Sequence, residues 1–230
     1  INEISKSLPD KNRKFYFGMH FFNPPYSMPL LELVPNDKAR RKDVSNLIEY
    51  LGSVLLRNVV VCRDKPAFVA NRIGFQFLNM ALQYAEKYKE KGGIDYIDSI
   101  LGTFTGRAMT PCATVDFVGL DVHKAIIDNL SNNTNDYAKK SFNLPTFVQK
   151  LISQGRLGKK TSIGLYKTEI EDGGAKRKYV FDIKTGKYVL IRKYDFLFAS
   201  NMNLSLKNGD YGLAFESLKN DSSEEATICR

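Results

Sequence analysis

Apolar and polar positions alternate over residues 14–22 (KFYFGMHFF), the two-residue period of a half-buried strand. A second apolar run, LLELV, covers residues 30–34. The linking NPPYSMP carries three prolines, which exclude both a helix and a central strand. Val44, Leu47, Ile48, Leu51, Val54 and Leu55 then recur at helical spacing, with Asn36 or Asp37 as the expected N-cap. NVVVC, residues 58–62, is wholly apolar, as in a buried strand. This succession of strand, strand, helix and strand is the closing part of an α/β sheet domain.

The texture changes at Asp64. Asp64 and Pro66 read as an N-cap and a first-turn proline, and they predict a helix over 66–89. It is apolar almost all round from Phe68 to Leu82, as expected of a central helix, and Gly92-Gly93 end it. Further helices are expected at 94–101, 121–130 and 145–154. From Gly164 the pattern turns to short strands, GLYKTEI, KYVFDI and KYVLI, with turns at EDGG and KTG. One helix is expected near 210–219.

The expected fold class is an α/β remnant followed by a mainly α-helical domain with a small β-hairpin appendix. The expected bounds are 1–62, 63–167 and a strand-rich extension over 168–230.

A chain of 230 residues with 43% hydrophobic and 12% aromatic content is globular rather than disordered. No apolar run reaches the length of a spanning helix, so no membrane span is expected. Three scattered cysteines argue against a disulfide framework and a metal site, and a reducing, cytoplasmic setting is expected. The net charge of +9 is concentrated between Arg156 and Lys193, where eleven basic residues face four acidic ones. Such a patch suits a phosphate-bearing small ligand as well as a polynucleotide, or it is a solvated face. Ile1 in place of an initiator Met, with no cap before it, leads to the expectation of a piece of a longer polypeptide.

Candidate chemistry gathers at few positions. His20, one of two histidines, closes the first strand, and an imidazole takes a proton near neutral pH. Glu32 sits inside the apolar second strand, where a carboxylate needs a partner. If the strands lie side by side the two meet; the alternative is a core histidine beside an unrelated glutamate. Asn71 sits early in the apolar helix and needs a hydrogen bond to protein or ligand. Asn23 reads as a turn residue, and Lys160 lies in GRLGKKTSIGLYK, which presents an ammonium or is simply a basic turn. His123 reads as structural. There is no G-x-G-x-x-G and no G-x-x-x-x-G-K-[ST], and the aromatic strand lacks the remaining features of an RNA-recognition motif, so no nucleic acid partner is expected.

GMHFFNPPYSMPLLELVP closely resembles the G-x-H-F-F-N-P and M-x-L-x-E signature of the 3-hydroxyacyl-CoA dehydrogenases. DKPAFVANRIG is similar to the K-P-G-F-x-x-N-R that opens their helical domain. TGRAMTPCATVDFVGLDVH and GRLGKKTSIGLYK resemble later blocks, and the four in order span residues 18–167. The resemblance implies that His20 is the base for the C3 hydroxyl of an acyl-CoA substrate and Glu32 its paired carboxylate. It further implies that Asn71 places the thioester end, that Asn23 and Lys160 serve NAD, and that the protein is a homodimer. The same resemblance implies that the α/β remnant is the C-terminal part of a Rossmann-type domain and that the mainly α-helical domain is a dimerisation-type domain. Ala67 and Ser162 stand where the family patterns have glycine, and Leu165 where they have Phe; small changes of packing or loop shape are expected. The family's glycine loop precedes the position of Ile1, so a chain lacking the NAD-binding half, and inactive alone, is expected. The segment beyond Lys167 resembles the continuation in multifunctional β-oxidation proteins, with a fused enoyl-CoA hydratase module as the expected neighbour. A non-catalytic dimerisation module is the alternative function.

Overall fold

The computed structural model describes residues 1–135, 137–171 and 174–230. These form two compact units, Ile1–Ile73 and Gly74–Arg230. Among the described residues no helix is long and apolar enough to cross a membrane.

In the first unit two short helices, α1 (Asn2–Ser5) and α2 (Asp10–Arg13), precede β1 (Phe17–Phe21) and β2 (Leu30–Pro35). Helix α3 (Arg41–Ser53) then leads to β3 (Asn58–Val61). The sheet order is β1-β2-β3, with β1 antiparallel and β3 parallel to β2. A parallel pair needs a crossover longer than a hairpin, and α3 supplies it. Leu31, Leu33 and Val34 of the central β2 are completely buried, and Leu31 and Leu33 pack on Leu51 of α3.

Two expectations change here. β3 is an edge strand with Val60 and Val61 exposed, because a three-stranded sheet pairs only its middle strand on both sides. Asn36 does not cap α3, which begins five residues later. Its side-chain amide instead donates to the carbonyls of Arg13 (2.7 Å) and Tyr16 (2.6 Å) and closes the loop before β1.

Helix α4 (Ala70–Lys87) starts four residues later than the sequence predicts. Ala67 and Phe68, at φ 58° and 51°, are left-handed and cannot belong to it. It buries one side only, through Phe75, Asn79, Ala81, Leu82 and Ala85, while Ile73 is 65% exposed. The boundary between the two compact units falls inside this helix, after Ile73.

The second unit continues with α5 (Ile94–Ile100), α6 (Pro111–Val118), α7 (Leu120–Asn133) and α8 (Thr146–Ser153). The sequence had given no sign of α6. Three antiparallel strands follow, β4 (Tyr166–Ile170), β5 (Lys176–Asp182) and β6 (Lys187–Leu190), so the appendix is a sheet of three rather than a hairpin. The turn predicted over residues 171–174 includes 172 and 173, which lie outside the described residues. Beyond residue 196 the extension is helical, not strand-rich: α9 (Leu197–Lys207), α10 (Tyr211–Asn220) and α11 (Glu224–Cys229). Phe198, Met202, Ala214 and Ala226 from these helices enter the same core as Leu82, Ile97, Leu120, Leu151 and Val180. The extension is therefore part of this unit.

Candidate active site

β1 and β2 lie side by side with His20 opposite Glu32. Paired residues on adjacent strands project to the same face. His20 Nδ1 lies 2.7 Å from Glu32 Oε2. The carboxylate accepts, so Nδ1 carries the hydrogen and Nε2 is left as the ring's acceptor. The His20 side chain keeps 31% of its exposure while that of Glu32 keeps 1%. The buried group is thus the orienter and the accessible group is the one able to meet a substrate.

A carboxylate withdrawn this far from water needs several donors. Glu32 Oε1 accepts from the N–H groups of Val69 (3.0 Å) and Ala70 (2.8 Å), and the Cys62 thiol lies 3.7 Å away. The two amides are among the N–H groups that the start of α4 leaves without an intrahelical partner, so Glu32 caps α4 from another element. Burial pushes the Glu32 carboxyl up. The hydrogen bonds from Ala70, His20 and Val69 outweigh it and hold the group below the usual carboxylate range. Glu32 is therefore an anion at neutral pH, available to stabilise an imidazolium. The Cys62 thiol is pushed up by its own burial and by the Glu32 charge, and stays protonated.

Sequence reasoning missed the partners that hold the pair. The Phe22 ring packs on the imidazole at 4.5 Å between centroids and Phe68 at 5.9 Å. Phe68 stands in the quoted DKPAF block, but its left-handed backbone is a property of the turn. The two α4 amides carry no side-chain signal at all.

The other predicted positions are placed less tightly. Asn71 lies one residue beyond Ala70 in the first turn of α4, partly exposed. It is held near the dyad because Glu32 binds the start of its helix. Asn23 is exposed in the turn after β1. Lys160 belongs to the second unit, in a one-turn helix over Lys159–Thr161, and pairs with Asp121. His123 is completely buried; its Nε2 lies 3.1 Å from Asn79 Oδ1, and burial pushes it down to about 4, so it is a neutral structural group.

Two family models match in sequence order. The 3-hydroxyacyl-CoA dehydrogenase NAD binding domain covers residues 1–65, and the 3-hydroxyacyl-CoA dehydrogenase C-terminal domain covers residues 68–168. The chain belongs to the 3-hydroxyacyl-CoA dehydrogenase family. The mitochondrial hydroxyacyl-coenzyme A dehydrogenase of Sus scrofa is 32% identical over 167 residues, 73% of this chain and 51% of that protein. A Rickettsia felis protein named for a fatty acid oxidation complex trifunctional enzyme is 29% identical over 221 residues, 94% of this chain and 30% of that one. The crystal structure of 3-hydroxybutyryl-CoA dehydrogenase from Escherichia coli K12 superposes with a TM-score of 0.62 at 29% identity, covering 75% of this chain and 35% of that one. The chain spans about half the length, or less, of these relatives. The first match also corrects an expectation: residues 1–65 of this dehydrogenase-family chain align with the NAD-binding domain, so that domain is not missing from it. The β2-α3-β3 crossover is the part of such a domain that the structure displays.

NAD is the cofactor that this family match implies. The open His20 Nε2 fits the proton side of a dehydrogenation. A glycine-rich cradle for the dinucleotide phosphates does not occur in the sequence.

Proposed function

We propose that the protein carrying this chain oxidises (3S)-3-hydroxyacyl-CoA to 3-oxoacyl-CoA with NAD in fatty-acid β-oxidation. The observation that carries this reading is the His20–Glu32 pair, 2.7 Å apart, with its carboxylate buried and held ionised. His20 Nε2 accepts the proton of the C3 hydroxyl as the C3–H bond is lost. NAD, when bound, takes the hydride from C3. Glu32 keeps Nδ1–H pointed at itself and stabilises the imidazolium that forms. Asn71 places the thioester end of the substrate, and Asn23 and Lys160 serve the cofactor.

Since residues 1–230 offer no glycine-rich phosphate cradle, the isolated chain is inactive in this proposal and the full-length protein is the enzyme. The homodimer implied by the family belongs to the same proposal, supported by exposed Leu197, Leu204 and Phe215 on α9 and α10. So does a fused enoyl-CoA hydratase module, supported by the Rickettsia felis match running through the extension. A cytoplasmic setting is supported by three free cysteines, of which Cys62 and Cys112 are buried.

The test is His20→Gln in the full-length protein, assayed by NADH formation from 3-hydroxyacyl-CoA. Turnover falls by about 10²–10⁴-fold with little change in KM, the loss expected for a missing general base. NADH production near the unmodified rate would remove His20 from the role of base.

A further inference from the structure

The second unit holds a cavity of about 1320 Å³ that none of the residues of the proposed dehydrogenase site lines. One wall comes from β4, β5 and the segment that follows β6. Thr168 pairs with Lys178 and Ile170 with Lys176, and the Ile191 N–H donates to the Lys178 carbonyl. Residues two apart on a strand share a face, so Lys176 and Lys178 stand together on β5. Lys193, two residues beyond Ile191, lines the same cavity.

Three ammonium groups gathered in one cavity repel one another. Among the described residues no carboxylate pairs with Lys176, Lys178 or Lys193. The other cations of the cavity are engaged: Arg192 with Asp95 (3.0 Å), Lys167 with Glu169 (2.5 Å), and Lys159 over the Phe117 ring at 4.6 Å. Four carboxyl groups also line it. Asp95 is neutralised by Arg192. Asp98 and Asp116 are buried; Asp98 has donors on both oxygens, Tyr166 OH and the Cys112 N–H among them, and Asp116 Oδ1 accepts from the Leu165 and Tyr166 N–H groups. Asp195 is exposed, and among the described residues no cation pairs with it. The excess is positive, and it is the same excess that the sequence concentrates between Arg156 and Lys193. Aromatic surface lines the cavity as well: Phe117 is 55% exposed, and the Tyr194 and Phe196 rings stack at 6.4 Å with planes 5° apart.

We propose that this cavity is a binding site for a nucleoside diphosphate, its phosphates among Lys176, Lys178 and Lys193 and its base against the aromatic side chains. Ammonium groups serve phosphate as point charges, and a planar base stacks on an aromatic ring without regard to base identity. Small-molecule sites run to roughly 300–1,000 Å³, so an elongated nucleotide has room here. The site is independent of the dehydrogenase reaction.

Titration calorimetry of the 230-residue chain with ADP, pyrophosphate and adenosine tests it. ADP binds, pyrophosphate displaces it, and affinity falls as salt is raised. The triple variant K176A/K178A/K193A weakens ADP by about tenfold or more while its thermal midpoint stays unchanged, since all three side chains are exposed. Phe117→Ala weakens ADP but leaves pyrophosphate binding intact. Should the triple variant fail to fold, the single variants Lys178→Gln and Lys193→Gln replace it, each expected to lower ADP affinity. ADP affinity unchanged in the lysine variants would put the nucleotide elsewhere in the chain and overturn the proposal, as would ADP binding that pyrophosphate does not displace.

Discussion

Ala67 and Ser162 hold backbone conformations that suit glycine, with φ of 58° and 60°. Both stand where the family patterns have glycine, and at neither place is the exchange only a matter of packing. An L-residue in this region costs about 1–2 kcal/mol, partly offset by the unfolded-chain entropy that the extra Cβ removes. Ala67→Gly and Ser162→Gly are each expected to stabilise the chain by about 0.5–1 kcal/mol, read as a rise in the urea midpoint at constant slope. A fall in midpoint for Ala67→Gly would show that its Cβ makes a contact worth more than the strain. Ala67 also precedes Phe68, whose ring packs on His20, so the strained turn lies within reach of the dyad. His20 and Glu32 themselves were legible because the residue types are rare in apolar strands. Their contact was not, since it depends on register.

At the scale of elements, the ends of helices decide what could be foreseen. Asp64 stands where a local cap for α4 belongs, yet its carboxylate accepts from the N–H of Asn2 (2.7 Å) at the start of α1. Glu32, more than thirty residues away in sequence, caps α4 instead. Helix α6 repeats the arrangement. Asp98 on α5 accepts from the N–H groups of Cys112 (2.8 Å) and Ala113 (3.1 Å), and also from the hydroxyls of Thr110 (2.5 Å) and Tyr166 (2.6 Å). Burial raises the Asp98 carboxyl above its ordinary value in spite of these donors. Asp98→Asn turns an amide toward donors that need an acceptor, and a loss of about 1–3 kcal/mol is expected in urea unfolding. Unchanged stability would mean that α6 does not depend on its remote cap. The loop that presents Lys159 and Lys160 is fixed in a similar way. A side chain at Gly158 would meet the Asp116 carbonyl at 2.1 Å, so only glycine lets the loop close on α6.

For the whole molecule, the two histidines divide between chemistry and architecture. His123 is neutral in the folded state down to about 4, whereas an unfolded histidine protonates near 6.5. Between these values the unfolded chain binds a proton that the folded chain refuses, so stability falls as pH falls. The loss attributable to this group is about 2 kcal/mol at pH 5 relative to pH 7. His123→Gln keeps a donor for Asn79 and has no such titration, and it should flatten the pH dependence of the urea midpoint across that window. An equal slope in variant and parent would remove His123 as its source. Glu32 acts lower: its depressed value contributes stability above about 4.5 that is lost as pH falls further.

By itself the sequence determined the succession from β1 to β3 in the first unit, the presence of the long helix α4, the three strands β4 to β6 and the family, because periodicity and block order are local properties. Only the tertiary structure decided that β3 is an edge, that α6 exists, that the extension shares the core of the second unit and that Glu32 serves both His20 and α4. Each of these depends on which distant groups satisfy a buried donor or cover an apolar face, and neither spacing nor composition records that.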